Sequence, residues 1–255
     1  MGIADFKSRM LAGEMLAGTF LKTPAYELIE VLAGSGLDFL CLDAEHAPFD
    51  RARMDMCLAI GRALDFPLLV RPGAATPQDI LQALDAGAVG IVAPHIDTPA
   101  KASQLARAGH FGVGGRGYAG STRWAGFASR KMPDILDQDA ESIMIAQIEE
   151  PAGVDAVEAI AATPGIDGLF LGPADLSVGY GKRDQSSDEL AQAFKRCGKA
   201  AKENGKAYMT FVGNAMQAES LAHYGLTMFF IASEHSWMRS GAAAEAMGVH
   251  KMKAG

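Results

Sequence analysis

Short, almost continuously apolar runs alternate along the chain with longer stretches whose apolar positions recur at helical spacing. Eight runs have the first character: residues 15–20 (MLAGTF), 38–43 (DFLCLD), 67–71 (PLLVR), 89–93 (VGIVA), 143–148 (IMIAQI), 168–171 (GLFL), 207–212 (AYMTFV) and 227–231 (TMFFI). Strands covered on both faces read this way. Helical stretches lie between them, including 24–32, 51–64, 77–84, 99–108 and 153–161, and several open as helix N-termini do, at Thr76-Pro77 and Thr98-Pro99 for example. Repeated strand–helix units predict an α/β fold on a parallel sheet. Eight such units in 255 residues have the size of a (β/α)8 TIM barrel, with an open doubly wound sheet as the alternative. A single domain over 1–255 is expected. One long excursion, residues 109–141, separates the fourth and fifth strands, and insertions of that length are usually functional or interfacial.

In a barrel of this kind the loops after the strands build the site. The second run ends in Asp43-Ala44-Glu45-His46, the third in Arg71-Pro72, the fifth in Gln147-Ile148-Glu149-Glu150, and the sixth leads into Gly172-Pro173-Ala174-Asp175. Alternation puts Phe39, Cys41 and Asp43 on one face of their strand and Gln147 and Glu149 on one face of theirs. Singly, Asp175 reads as a helix cap, Arg71 as half of a structural ion pair and His46 as a packed histidine. Their coincidence at successive strand ends favours chemistry. Asp43, Gln147, Glu149 and Asp175 are all oxygen donors with no cysteine nearby, a hard set suited to Mg²⁺ or Mn²⁺ rather than to structural zinc.

Composition narrows the functional classes. Hydrophobic residues make up 49% and charged residues 21%, ordinary globular usage that argues against disorder or a long coiled coil. With 23 Lys+Arg against 30 Asp+Glu the net charge is −7, and no basic run offers a stripe for nucleic acid or an anionic membrane. No nucleic-acid or membrane partner is expected. Cys41, Cys57 and Cys197 are odd in number and form no C-x-x-C pair, and the first residues lack a basic segment followed by an apolar run, which together predict a cytoplasmic chain. Gly112-Val113-Gly114-Gly115-Arg116-Gly117 matches G-x-G-x-x-G, but no strand runs into it and no helix clearly opens from it, so nucleotide binding without catalysis stands only as a rival of a different class.

Gly18-Thr19-Phe20, Leu42-Asp43-Ala44-Glu45-His46-Ala47-Pro48, Val70-Arg71-Pro72, Leu84-Asp85-Ala86-Gly87-Ala88, Gln147-Ile148-Glu149 and Leu171-Gly172-Pro173-Ala174-Asp175-Leu176-Ser177 occur in one order along the chain. This set resembles the HpcH/HpaI family of metal-dependent class II pyruvate aldolases. The resemblance implies a (β/α)8 barrel with an exchanged C-terminal helix, in a homohexamer built as a trimer of dimers. It implies a divalent ion (Mg²⁺, Mn²⁺ or Co²⁺) on Glu149 and Asp175, with Asp43 in a water-mediated or supporting position. Gln147, Ala174 and Phe20 would contact substrate, Arg71 would stabilise a carboxylate or oxyanion, and His46 would be the general base with Asp85 as its acid partner. Asp85 precedes the fourth strand, so barrel logic places it at the wrong end, to act across a subunit boundary or structurally. The implied substrates are a 2-oxo acid, pyruvate or hydroxypyruvate, and an aldehyde. Decarboxylation of oxaloacetate at the same site is the alternative activity. No lysine occupies an inward strand position for Schiff-base chemistry, and only Lys22 follows closely after a strand. Residues 109–130 and the segment after the eighth strand, Ser233-Glu234-His235, are expected to border the mouth and read the aldehyde.

Overall fold

The computed structural model describes residues 2–252. Eight parallel strands close into a barrel in sequence order: β1 (Leu16–Leu21), β2 (Phe39–Asp43), β3 (Leu68–Arg71), β4 (Gly90–Ala93), β5 (Ile143–Ile148), β6 (Gly168–Leu171), β7 (Ala207–Val212) and β8 (Met228–Ser233), with β8 pairing back onto β1. Each boundary falls within two residues of the apolar run that announced it. The (β/α)8 barrel is therefore the fold, and the open sheet is excluded by the β1–β8 ladder.

Alternation along the strands sorts the core into two layers. Leu40, Leu42, Val70, Ala146, Ile148 and Leu171 face outward and are covered by the surrounding helices. Phe20, Phe39, Leu69, Ile145, Phe170, Met209 and Phe230 point inward. Phe230 sits at the centre of that interior, with ring centroids 4.9 Å from Phe20, 4.8 Å from Phe39 and 4.9 Å from Phe170. The helix Ile3–Leu11 closes the N-terminal end of the barrel with Phe6 and Met10. With the lower barrel filled by hydrocarbon, polar side chains on inward positions are confined to the last residues of each strand. That confinement places the chemistry.

The excursion lies elsewhere than expected. It leaves the C-terminal end of the helix Pro99–Gly109, which has already run back to the N-terminal end of the barrel, and it packs there. The Trp124 N–H donates to the Asp85 carbonyl (3.3 Å), Arg123 Nε to the Ala86 carbonyl (2.9 Å), and Lys7 Nζ to the carbonyls of Ala140 and Ser142. Within one chain it borders no part of the site at the opposite end. The G-x-G-x-x-G sequence is part of this loop, opens no helix and follows no strand.

At the C-terminus the helix Glu234–His250 leaves the barrel. Only Glu234 is buried, Trp237 packs partly on the outer core, and Met238 to His250 are exposed. No helix among the described residues is long and apolar enough to cross a membrane.

Gly18 faces the barrel interior, where an added Cβ would stand 2.4 Å from the ring of the fully buried Phe39. The ring has no space to retreat into. Gly18→Ala should therefore cost about 1–3 kcal/mol of stability by overpacking, read as a lowered midpoint in urea denaturation; an unchanged midpoint would show that the interior yields.

Candidate active site

The polar residues that end the strands meet in one cavity of about 380 Å³ at the C-terminal mouth, bordered by Phe20, His46, Arg71, Gln147, Ala174 and Asp175, with Lys22 on its edge. Phe20, Phe170 and Phe211 form the apolar part of its wall. Six of the residues named from the sequence are thus gathered on one surface. Glu149 joins them through Gln147, whose Nε2 donates to Glu149 Oε2.

Arg71 is the most constrained member. Its Nε and Nη2 donate to Asp43 Oδ1 and Oδ2 at 3.0 and 2.8 Å, Glu45 Oε2 lies 3.2 Å from Nε, and the guanidinium stands 4.2 Å over the Phe20 ring. Burial alone would lower the Arg71 pKa, but the Asp43 hydrogen bonds and charge outweigh it and hold the pKa above the ordinary value. In Asp43 the same burial acts upward, yet the guanidinium bonds, the charge of Arg71 and the His46 N–H bring its pKa below the usual range. Asp43 is fully buried, with Lys22 Nζ a further 3.3 Å from Oδ2. Both of its oxygens orient Arg71, and Oδ2 also pairs with Lys22.

Glu149 is 4% exposed, and burial raises its pKa against the opposing bonds from Gln147 and the His95 N–H. Gln147 Oε1 is buried with no hydrogen-bond partner. Asp175 stands exposed in the first turn of the helix Pro173–Gly179 on the cavity rim. A buried carboxylate, an orphaned amide oxygen and a free rim carboxylate are hard donors with unused capacity, and this set fits a divalent cation.

His46 follows β2 and lines the cavity with its side chain 58% exposed; Glu45 Oε2 is 3.7 Å from Nε2. Asp85 is not brought to it. The carboxylate lies near the end of the helix Pro77–Ala86, at the N-terminal side of the barrel, where Arg116 Nη2 donates to it at 2.6 Å. Within one chain it forms an ion pair that fastens the excursion. Glu234 is also reassigned: it is buried, and its Oε1 accepts the N–H groups of Lys22 and Thr23 at 3.0 and 2.7 Å, bracing the loop after β1.

The sequence reading passed over His95. It follows β4 at a positive φ of 58°, and its donor atoms lie with those of Glu45 and Glu149 in a group whose members are all within 4.8 Å of one another. Burial lowers its pKa, but the hydrogen bond to Glu150 and the charges of Glu149, Glu150 and Glu45 outweigh that and raise it. Its position directly after a strand was the signal available.

Residues 16–240 match the family model described as HpcH/HpaI aldolase/citrate lyase. A hydroxypyruvate/pyruvate aldolase from Paraburkholderia phytofirmans is 32% identical over 240 residues, covering 91% of this chain and 92% of that protein. A 5-keto-4-deoxy-D-glucarate aldolase from Klebsiella pneumoniae is 32% identical over 238 residues, covering 92% of each. Among solved structures, an HpcH/HpaI aldolase/citrate lyase family protein from Burkholderia cenocepacia superposes with a TM-score of 0.91 at 34% identity, covering 97% of this chain and 99% of that one.

Asp43→Asn removes the main counter-charge of a buried guanidinium and leaves only Glu45 beside it. Breaking one side of a buried pair costs about 3–5 kcal/mol. With Glu45 still in reach, a loss at the lower end of that range is expected in chemical denaturation, together with impaired turnover because Arg71 loses its orientation. A variant as stable and active as the parent would show that Glu45 alone suffices.

Proposed function

The chain belongs to the HpcH/HpaI aldolase/citrate lyase family, and on that premise we propose that it is a divalent-metal-dependent carbon–carbon lyase. It cleaves and forms 4-hydroxy-2-oxo acids, with pyruvate or hydroxypyruvate as one product and an aldehyde as the other. The observation that carries this reading is the meeting of Arg71, His46, Gln147, Ala174 and Asp175 around one cavity, with Glu149 bonded to Gln147.

Glu149 and Asp175 would hold the cation, with Gln147 Oε1 facing the same space. When bound, the ion supplies Lewis-acid polarisation of the substrate ketone and compensates the charge left there when the C3–C4 bond breaks. Arg71, already aligned by Asp43, presents its remaining donors to the carboxylate or ketone oxygens of the 2-oxo acid. Gln147 and the main chain at Ala174 fix the acid's orientation, and Phe20 and Phe170 keep water from the reacting carbons. His46, exposed at the open side of the cavity, takes the proton from the C4 hydroxyl in cleavage and returns it to the aldehyde oxygen in condensation.

Lys22 borders the cavity, so a Schiff-base aldolase is the reading to be separated experimentally. Exhaustive chelation should abolish retro-aldol activity, Mg²⁺, Mn²⁺ or Co²⁺ should restore it, and borohydride with pyruvate should trap no adduct. Activity that survives chelation, or a trapped adduct on Lys22, would overturn the metal reading. Comparing CO₂ with aldehyde release separates the lyase from an oxaloacetate decarboxylase. His46→Ala should lower turnover by about 10²- to 10⁴-fold while leaving metal affinity near that of the parent.

We propose a homohexamer, a trimer of dimers as the family resemblance implies, in which Asp85 meets His46 of another copy; the exposed helix Glu234–His250 leaves a surface for the helix exchange this needs. Mixing the separately inactive His46→Ala and Asp85→Ala chains under subunit exchange should then regain activity, because some sites receive both native residues. Inactive mixtures of exchanging subunits would assign Asp85 to the Arg116 ion pair alone.

A further inference from the structure

The chain between β4 and the helix Pro99–Gly109 turns through His95 in the left-handed region, φ 58°, a conformation uncommon for non-glycine residues although His, like Asn and Asp, is among those that take it more often. Such a conformation persists only where surrounding contacts over-determine it. Here they converge on one carboxylate. The His95 main-chain N–H donates to Glu149 Oε1 at 2.8 Å, and ring Nδ1 lies 3.1 Å from the same oxygen. The ring also reaches Glu150 Oε1 at 2.5 Å through Nδ1 and Glu45 Oε1 at 3.4 Å through Nε2. One residue after β4 thus ties the acidic groups that follow β2 and β5.

The two oxygens of Glu149 are treated differently as a result. Oε1 is held on the β4 side by main chain and ring. Oε2 faces Gln147 Nε2 and Gly172, where even a Cβ would come within 3.4 Å of it, and both of those residues border the cavity. We infer that His95 is a positioning residue that locks Oε1 of Glu149 and so turns Oε2 toward the cavity for the cation. The inference rests on the metal-dependent reading above, since it concerns how an expected ligand is aimed. Partners of this kind, bonded to a ligand rather than to the ion, are commonly worth about 10- to 100-fold in metal affinity.

The substitutions follow from the backbone. His95→Gly accepts a positive φ without strain and keeps the N–H bond to Glu149, but removes the ring; His95→Asn also tolerates this conformation and restores a short side-chain donor. Binding of Mn²⁺ and of Co²⁺ to the metal-free chain is measured by calorimetry, with thermal denaturation confirming that each variant is folded. His95→Gly should weaken both ions alike, by about 10- to 100-fold, and His95→Asn should recover part of the loss. Unchanged or tighter binding in His95→Gly overturns the proposal, as does an Asn variant no better than Gly. A loss confined to Co²⁺ also overturns it, because a nitrogen donor matters more to the softer ion and the ring would then be a ligand itself. If the parent chain binds neither ion, the metal reading fails and takes the inference with it, whereas normal binding in the parent with unaltered variants removes the inference alone.

Discussion

Three carboxylates, Asp43, Glu45 and Glu149, are carried into the mouth of a barrel whose interior below them is hydrocarbon, and two of the three are buried. Charge in such surroundings must be matched at close range, and the matching organises the site. Asp43 is answered by Arg71 and Lys22, Glu45 by Arg71 and His95, and Glu149 by hydrogen bonds from Gln147 and the His95 main chain. Glu149 has no full ion-pair partner on its Oε2 side, and burial has raised its pKa. A divalent cation bound there would supply what that side lacks. The same accounting separates two roles that look alike in sequence: Asp43 is spent on holding an arginine, whereas Glu149 and Asp175 retain the capacity to hold an ion.

The barrel makes this arrangement affordable by keeping structure and chemistry apart. Packing of Phe20, Phe39, Phe170 and Phe230 fills the interior to just beneath the polar layer, and Phe20 serves both levels, since its ring packs on Phe230 and lies under the Arg71 guanidinium. At the other end, Arg116 is buried against Phe111 and Trp124 and paired with Asp85, joining the excursion to the helix before β4. The two ends share no side chain among those described, so the far end can serve assembly while the mouth serves chemistry.

Most of the scaffold was legible because its determinant is local. Strands buried on both faces write themselves as apolar runs, and the polar residues that break or follow those runs at Asp43, Arg71, Gln147, Glu149 and Asp175 were visible in the sequence. What escaped was decided by packing or by direction. His95 is a single histidine after a proline, with no periodicity around it, and its importance comes from three glutamates that only the closed barrel brings together. The excursion could have been placed correctly, since it follows a helix rather than a strand and so begins at the N-terminal end. Glu234 reads as a candidate for the aldehyde pocket because sequence does not show which neighbour a carboxylate faces.

The central claim is that proton chemistry on the 2-oxo acid depends on a cation held at Glu149. Exchange of deuterium into the methyl group of pyruvate, followed by proton NMR with no aldehyde present, isolates that step from recognition of the second substrate. The account predicts exchange that requires Mg²⁺, Mn²⁺ or Co²⁺, is lost on chelation, and is abolished in Glu149→Gln while the variant remains folded. Exchange that continues at the parental rate in the chelated protein or in Glu149→Gln would contradict it.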